Sequence, residues 1–286
     1  MAVFADEKNK VLVQGATGHQ GVFHIGEMLD FGTKVVAGVT PGKVGQKVHG
    51  VPIFNNVQDG VDATSANTSL VLVPARFAKD AVFEALDAGI KTLVVITENI
   101  PFHDAMEFVH YGKYKDAVII GPNCPGIASP GKAKIGILPG QIFRKGHVGV
   151  ASRSGTLTYE IVNSLTEKGI GQSTCIGLGG DPIIGTTFID ALDAFEKDKE
   201  TKSIVLVGEI GGTAEEEAAE YIKKYVSKPV YAFIAGRTAP PGKRMGHAGA
   251  IIARGKGTAE SKIKAFEKAE VKLTKFPTDI ADLIEK

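Results

Sequence analysis

Short apolar runs alternate along the chain with longer stretches in which apolar residues recur every three or four positions. The short runs are rich in valine and isoleucine and are typical of buried strands, whereas the longer stretches are typical of amphipathic helices. Because the two patterns alternate, they predict βαβ units and parallel sheets covered by helices on both faces. In the first half of the chain, strands are predicted at 11–13, 34–39, 69–73, 92–97 and 117–120, and helices at 77–88 and 105–115.

The alternation stops between Gly121 and Gly146, where prolines and glycines surround a single short apolar run at 135–138. We place the boundary between two domains there, which gives domains at 1–125 and 147–286 and a connecting segment at 126–146. The predicted fold class is α/β, with two open, mainly parallel sheets. In the second half, strands are predicted at 148–150, 173–176, 203–207 and 230–234, and helices at 156–168, 187–196, 214–225, 258–269 and 278–284.

Composition narrows the class of protein. The 286 residues are 43% apolar and 23% charged, which is enough for about two ordinary domains. The formal net charge is +1 and no block of like charge is long enough for a nucleic-acid arm. Four of the first ten residues are charged, where a signal peptide needs an apolar core, and no apolar run approaches the roughly 18 residues of a membrane span. We therefore expect a cytoplasmic protein without a membrane partner or a nucleic-acid partner.

The cysteines and histidines do not indicate a metal site. Cys124 and Cys175 are far apart and form no Cys-x-x-Cys pair, and the seven histidines are scattered without zinc-site spacing. A Walker-A spacing that begins at Gly126 has Ala133 where magnesium needs a hydroxyl ligand. This chain is therefore expected to hold neither a metal nor a triphosphate by itself.

A glycine-rich loop, Gly15-Ala-Thr-Gly18-His-Gln-Gly21, follows the first predicted strand and opens a helix. Such a loop lets backbone N–H groups approach a phosphate at the helix N-terminus, although a simple chain reversal also fits. The spacing differs from the Gly-x-Gly-x-x-Gly of nicotinamide enzymes, so a dinucleotide is disfavoured. Lys43 and the segment Ile96-Thr-Glu98 follow later strands and point to the same crevice, but each also fits a solvated turn or strand exit.

The loop Thr238-Ala-Pro-Pro-Gly-Lys-Arg-Met-Gly-His247-Ala-Gly-Ala250 offers a candidate nucleophile. Small residues on both sides leave the His247 imidazole unshielded, and neutral imidazole attacks well near physiological pH. Lys243 and Arg244 suit an anionic group such as phosphate. These residues alone leave two interpretations open, a nucleophile and a solvated turn without chemistry.

Two further strand ends carry polar residues. Ser154 and Gly155 lead from a strand into a helix, an arrangement that suits a phosphoryl group or a carboxylate but also a plain N-cap. Glu209 comes just after the predicted strand at 203–207 and is flanked by glycines. A carboxylate at this position can orient an imidazole by accepting a hydrogen bond from one ring N–H. A serine hydrolase is disfavoured because neither Ser152 nor Ser154 lies in a Gly-x-Ser-x-Gly motif.

Several long strings, taken in this order, resemble the α subunits of succinate–CoA ligases, also called succinyl-CoA synthetases. The likeness covers essentially the whole chain. Its strings are Gly-Pro-Asn-Cys-Pro-Gly at 121–126, Ser-Arg-Ser-Gly-Thr-Leu-Thr-Tyr-Glu at 152–160, Gly-Gly-Asp-Pro at 179–182, Gly-Glu-Ile-Gly-Gly at 208–212 and Gly-Lys-Arg-Met-Gly-His-Ala-Gly-Ala at 242–250.

The resemblance implies a Rossmann-like CoA-binding domain followed by a flavodoxin-like, doubly wound parallel-sheet domain that carries a phosphohistidine. It implies a ligase of the tricarboxylic acid cycle that forms succinyl-CoA by way of succinyl phosphate. His19 departs from the smaller or different residue that the family commonly has. The residues implied are His247 as phosphorylated histidine, Glu209 as its support, Tyr159 for the acid, Ser154, Gly155 and Cys124 for phosphate, and Thr17, Gly18, His19, Gln20, Lys43, Ile96, Thr97 and Glu98 for CoA.

The resemblance also implies a β subunit that supplies an ATP-grasp site for ATP or GTP with Mg²⁺, in an αβ heterodimer or a heterotetramer. Three alternatives stay open: a related ligase such as malate–CoA ligase, a nicotinamide-dependent dehydrogenase, and a non-catalytic CoA sensor or scaffold. The sequence argues against the dehydrogenase because Val39-Thr40-Pro41 stands where an acidic ribose partner is expected. The sensor needs no nucleophile, so the conjunction of His247, Glu209 and Ser154 argues against it.

Overall fold

The computed structural model describes residues 3–253 and 255–284. The chain divides into two compact units. The N-terminal unit consists of Phe4–Gly140 and Ile183–Gly185, and the C-terminal unit consists of Val3, Gln141–Pro182 and the described residues from Thr186 onward. Among the described helices, none is long and apolar enough to cross a membrane.

The N-terminal unit is built on a parallel sheet of the order β4-β2-β1-β5-β6-β7, which β3 extends as an antiparallel neighbour of β4. Numbered along the chain, the parallel strands have the Rossmann order 3-2-1-4-5-6, which reverses between β1 and β5. The strands are β1 (Lys10–Gln14), β2 (Lys34–Val39), β3 (Lys47–Val48), β4 (Val51–Phe54), β5 (Thr68–Val71), β6 (Thr92–Val95) and β7 (Val118–Ile120). The helices are α1 (His19–Asp30), α2 (Val57–Thr64), α3 (Ala75–Asp87) and α4 (Phe102–Tyr114).

Close backbone approach explains the glycines that interrupt the apolar pattern after β7. Residues Gly126–Ser129 (β8) and Ala133–Gly136 (β9) form an antiparallel hairpin, inside the segment expected to connect two domains. A Cβ atom at Gly126 would lie 2.2 Å from the Ile135 carbonyl oxygen. The glycines therefore allow the two strands to pair at a point where a side chain would collide with backbone.

The C-terminal unit contains five parallel strands in the order β14-β13-β12-β10-β11. Numbered along the chain, this is the flavodoxin-like order 2-1-3-4-5. The strands are β10 (Lys145–Ser152), β11 (Gln172–Gly177), β12 (Ser203–Glu209), β13 (Val230–Ala235) and β14 (Lys272–Leu273). The helices are α5 (Gly155–Glu167), α6 (Phe188–Lys197), α7 (Ala214–Tyr225), α8 (Ala259–Lys268) and α9 (Ile280–Leu283).

Burial of the central strands confirms the predicted α/β class. Val11, Leu12 and Val13 in β1 and the whole run Ile204–Val207 in β12 are fully buried. Strands covered on both faces are apolar throughout rather than alternating, which is why their runs are visible in the sequence. The short strands β3, β4 and β14 and the helix α2 were not predicted, because so few residues carry too little periodicity.

Candidate active site

The carboxyl ends of β10, β11 and β12 lie at one edge of the C-terminal sheet because these strands are parallel and adjacent. The loop after β10 contains Arg153 and Ser154, the loop after β11 contains Gly180, and β12 ends at Glu209. The backbone N–H of Arg153 donates to the Val207 carbonyl at 3.0 Å and ties the first of these loops to β12. Three loops that are distant in the sequence thus form one edge of the unit.

His247 lies at this edge in contact with Glu209. Its Nδ1 atom is 2.8 Å from Glu209 Oε2, and its Nε2 atom has no hydrogen-bond partner among the described residues. The side chain of Glu209 is 8% exposed, whereas that of His247 is 28% exposed. A buried carboxylate that accepts from Nδ1–H fixes the tautomer with a lone pair on Nε2. This geometry leaves Nε2 as the ring nitrogen that is available for nucleophilic attack.

The charges around His247 favour its protonated form. The hydrogen bond to Glu209 raises the pKa of His247 above its usual value, and this outweighs the opposing effect of burial. The Glu209 and Asp181 charges act in the same direction as that hydrogen bond, whereas Arg153 opposes them. A raised pKa means that the neutral, attacking form becomes dominant only toward higher pH.

Gly180 gives the imidazole the space it occupies. A Cβ atom at this position would lie 2.3 Å from His247 Cγ and 2.6 Å from Nδ1. The Gly180 carbonyl also accepts from the N–H of Gly249, at 3.1 Å, in the histidine loop. The loop after β11 therefore supports both the imidazole ring and the backbone beside it.

Three buried charged residues behind Glu209 are functional candidates that the sequence analysis missed. Arg153 Nη2 lies 3.5 Å from Glu209 Oε1, and Arg153 Nη1 lies 3.1 Å from Glu215 Oε1. Lys262 forms an ion pair with Glu215, and both side chains are fully buried. The sequence did carry a sign that Glu215 and Lys262 are buried. Their helical spacing from the apolar residues Ala218 and Phe266 puts them on the buried faces of α7 and α8.

The residues predicted to bind phosphate and the acid are divided between the two units: Ser154, Gly155 and Tyr159 belong to the C-terminal unit and Cys124 to the N-terminal unit. Ser154 is the N-cap of α5, its side chain accepting from the Leu157 N–H at 3.4 Å, and Gly155 is the first residue of that helix. Tyr159 lies one turn further along α5 and is half-buried. Cys124 belongs to the N-terminal unit, where its thiol donates to the Val95 carbonyl at 3.3 Å. Burial raises the pKa of Cys124 to about 12, so the thiol is neutral at physiological pH.

The predicted CoA residues follow β1, β2 and β6 at the carboxyl edge of the N-terminal sheet. Thr17 N–H donates to Thr40 Oγ1 at 3.3 Å, which joins the glycine-rich loop to the turn that contains Lys43. Thr97 Oγ1 donates to the Val73 carbonyl at 2.7 Å, which joins the loops after β5 and β6. The structure places these residues as follows: Gly18, His19, Gln20, Lys43 and Glu98 are exposed, and Thr17, Ile96 and Thr97 are half-buried.

The glycine-rich loop of this edge is built for close approach to backbone. Gly15 has a φ of +84°, and Gly21 would place a Cβ atom 2.2 Å from the Gly15 carbonyl oxygen. Gly18 is the N-cap residue of α1 and has no side chain to accept from the first N–H groups of the helix. Uncapped N–H groups at a helix N-terminus, at the point where the strand order reverses, favour a phosphate-containing ligand.

Within residues 3–253 and 255–284, no group of three or more His, Cys, Asp and Glu side chains is placed to hold a metal ion. Both units match known domain families. The CoA binding domain family matches residues 6–99 and the CoA-ligase family matches residues 151–272. The first match contains the glycine-rich loop and the second contains both Glu209 and His247. Fold and site together define a two-domain CoA ligase.

Whole-chain relatives narrow this class. Succinate–CoA ligase [ADP-forming] subunit alpha 2 of Archaeoglobus fulgidus is 59% identical over 284 residues, which cover 99% of each chain. The corresponding alpha subunit of Staphylococcus aureus is 56% identical over 99% of this chain and 94% of that protein. The chain therefore belongs to the family of succinate–CoA ligase α subunits, which confirms the resemblance stated above.

Solved structures share the fold. ATP citrate lyase from Methanothrix soehngenii, in complex with citrate and coenzyme A, superposes with a TM-score of 0.90 at 26% identity. The match covers 98% of this chain and 49% of the lyase, so this chain spans about half of that protein. A dinucleotide-forming acetyl-coenzyme A synthetase from Ca. Korarchaeum cryptofilum shares the fold at 21% identity, with a TM-score of 0.78 over 96% of this chain and 60% of the synthetase.

Proposed function

We propose that this chain is the phosphoryl-carrying subunit of a succinate–CoA ligase, with His247 as the residue that carries the phosphoryl group. The observation that carries the proposal is the 2.8 Å contact of His247 Nδ1 with buried Glu209, which leaves Nε2 free on a partly exposed ring. Among the open alternatives, a non-catalytic CoA-binding protein has no use for an oriented nucleophile. The family membership of the chain favours succinate over a related diacid such as malate.

The reaction proceeds in three balanced transfers. Nε2 of His247 attacks the γ-phosphorus of a nucleoside triphosphate, and the nucleoside diphosphate leaves. A succinate carboxylate oxygen then takes the phosphoryl group from Nε2, which regenerates the imidazole and forms succinyl phosphate. Finally the CoA thiol, which loses its proton, attacks the acyl carbon and releases inorganic phosphate. The nitrogen nucleophile links phosphoryl transfer to thioester formation by dividing one difficult reaction into easier steps.

CoA is assigned to the N-terminal unit, in agreement with the CoA binding domain family match at residues 6–99. We assign its contacts to Thr17, Gly18, His19, Gln20, Lys43 and the segment Ile96, Thr97 and Glu98. Backbone N–H groups at the start of α1 suit the phosphates of CoA, and the exposed Lys43 ammonium adds a positive charge near them. We propose that the predicted domains 1–125 and 147–286 divide the two functions, with CoA bound by the first and the phosphoryl group carried by the second.

The phosphoryl group and the acid are assigned to the neighbourhood of α5. Ser154 and Gly155 present the N-terminus of that helix, where the helix dipole and free N–H groups stabilise an anion. The Cys124 thiol, in the N-terminal unit, is neutral and donates to the Val95 carbonyl, so it offers no positive charge to a phosphate. Tyr159 is assigned to the acid substrate.

A partner chain supplies the nucleotide. The candidate nucleotide motif at Gly126 forms the β8–β9 hairpin and no phosphate-binding loop. A β subunit with an ATP-grasp site would bring the triphosphate and Mg²⁺, which neutralises phosphate charge during transfer. The named relatives are ADP-forming, which favours ATP over GTP. We propose a cytoplasmic αβ heterodimer or a dimer of that heterodimer.

Phosphorylation of the chain by γ-labelled ATP or GTP, in the presence of its β partner, tests this proposal. We expect acid-labile, base-stable label on His247 that succinate and CoA together discharge, and slower discharge when malate replaces succinate. The variant His247→Asn should lose the label and retain CoA affinity, while His110→Asn, which changes an exposed histidine on α4, should behave as the wild type. Label at wild-type level in His247→Asn would contradict the proposed nucleophile.

A further inference from the structure

A line of alternating charges leads inward from His247 through the C-terminal unit. We call Glu209, Arg153, Glu215, Lys262 and Glu216 the ion chain. Glu209 pairs with Arg153, Arg153 with Glu215, and Lys262 with both Glu215 and Glu216. The side chains of the first four members are at most 8% exposed, whereas that of Glu216 is 26% exposed. With His247 protonated, the three carboxylates balance the three cations.

Glu215 is the member on which this arrangement depends. Its Oε1 accepts from Arg153 Nη1 and from the backbone N–H of Glu209, both at 3.1 Å, while its Oε2 accepts from Lys262. Gly208 leaves room for it, because a Cβ atom there would lie 2.7 Å from Glu215 Cγ. A single carboxylate thus holds the guanidinium and the end of β12 at the same time.

Arg153 is consequently held back from Glu209. Its Nη1 donates to Glu215 and to the Gly211 carbonyl, and its Nη2 stays 3.5 Å from Glu209 Oε1. That Glu209 oxygen is buried and has no hydrogen-bond partner among the residues that the structure describes. A guanidinium free to form a bidentate pair would neutralise Glu209 and weaken its hold on the imidazole. The competition between two carboxylates for Arg153 therefore leaves the Glu209 charge available to His247.

Lys262 is the ion-pair partner of Glu215, and both side chains are fully buried. Its ammonium donates to Glu215, to Glu216 and to the Gly212 carbonyl, which uses its three N–H groups. Burying a carboxylate charge without such a partner is energetically costly. Because buried ion pairs often contribute little net stability compared with apolar residues, stability alone is a weak reason for this network.

We propose that Glu215, paired with Lys262, is a positioning residue that acts through Arg153 to reserve the Glu209 carboxylate for His247. This inference rests on the proposed role of His247 as nucleophile and adds a further residue to that mechanism. Glu209, Arg153 and Asp181 are the charged groups that influence the imidazole directly, and Glu215 acts on the first two. If Glu215 were neutral, Arg153 would be free to form a bidentate ion pair with Glu209.

The first test replaces Glu215 with glutamine in the full chain. NMR titration of labelled histidines, with His247→Asn to assign the signal, measures the pKa and tautomer of His247 without any need for activity. We expect Glu215→Gln to lower the pKa of His247, and phosphorylation in the complex with the β partner to slow roughly tenfold. The control Glu217→Gln removes the same charge from an exposed position on α7 and should leave both unchanged. An unaltered pKa and tautomer in Glu215→Gln would overturn the proposal.

The double variant Glu215→Gln with Lys262→Met separates positioning from folding and from net charge. It removes one negative and one positive charge, so neither member of the buried Glu215–Lys262 pair is left as an unpaired ion. The double variant should therefore fold even if Glu215→Gln does not. We expect the pKa of His247 to be lowered in it as well, since Arg153 is released in both variants. A wild-type His247 titration in the folded double variant would overturn the proposal. If the wild type forms no phosphohistidine, the proposed function fails, while the titrations still decide the role of Glu215.

Discussion

Replacing Gly180 with alanine would place a methyl group against the His247 imidazole. The new Cβ atom would lie 2.3 Å from Cγ and 2.6 Å from both Cδ2 and Nδ1. Carbon atoms in contact are normally about 3.5–4.0 Å apart, so the ring has to move by roughly 1 Å. Gly180 has no positive φ, so alanine itself adds no backbone strain there. The substitution therefore tests the position of the ring and little else.

A displacement of that size removes the geometry on which the nucleophile depends. The contact between Nδ1 and Glu209 Oε2 is 2.8 Å, and a shift of roughly 1 Å lengthens or misaligns it beyond a good hydrogen bond. Misplacement of a reacting group by about 1 Å costs about 100-fold in rate. We expect Gly180→Ala to phosphorylate about 100 times more slowly than the wild type, measured by rapid quench with γ-labelled nucleotide and the β partner.

The matched control for this variant is Gly242→Ala. Gly242 lies in the histidine loop with a φ of +76° and open space where a Cβ atom would be. Alanine there costs about 1–2 kcal/mol of backbone strain without a steric clash, so phosphorylation should stay near the wild-type rate. CoA affinity should be unchanged in both variants because both glycines belong to the C-terminal unit. A wild-type phosphorylation rate in Gly180→Ala would refute the reasoning from the geometry of the ring.

Three other predictions concern the CoA site, the pH dependence of phosphorylation and the packing of the core. Lys43→Ala should weaken CoA binding, measured by calorimetry, without slowing phosphorylation; an unchanged dissociation constant would remove Lys43 from the CoA site. Since Glu209 raises the pKa of His247, the wild-type phosphorylation rate should increase with pH to a midpoint above the usual histidine value. Glu209→Gln should move that midpoint to lower pH, and an unshifted profile would exclude Glu209 as its cause. Gly149→Ala should lower the free energy of unfolding by about 1–3 kcal/mol in urea denaturation, because its Cβ atom would lie 2.7 Å from Phe195 Cδ1 in the core. An unchanged urea concentration at the unfolding midpoint would show that the core accommodates the added methyl group.

The strands and helices were the most predictable part of the fold. Helix α7 has the predicted bounds, and most central strands differ from prediction by one to three residues at their ends. β10 extends beyond its apolar run to Lys145 and Ser152, because backbone pairing with β11 continues past the last apolar side chain. The predicted last helix is divided into a 3₁₀ turn at Pro277–Asp279 and the short α9. Element ends depend on hydrogen bonding that an apolar pattern does not report.

The site was predicted less completely than the fold. His247 and Glu209 were singled out by residue type and flanking glycines, and the structure brings them together. Glu215 and Lys262 were missed because charged residues on helices normally face solvent. Their helical positions coincide with buried Ala218 and Phe266, so a charge in the apolar register of α7 and α8 was the available sign.

The order of the residues was enough to predict the α/β class, the glycine-rich loops at strand ends and the small set of side chains able to do chemistry. These features are local, because burial on both faces of a strand and close backbone approach each leave a mark within a few residues. The folded chain was needed to show that Glu209, expected as the support of His247, contacts its Nδ1 atom from 38 residues away, which leaves Nε2 as the other ring nitrogen. It also showed why Gly180 has no side chain and what lies behind Glu209. Such contacts depend on which strands become neighbours, and strand order follows from packing across the whole unit rather than from any local pattern.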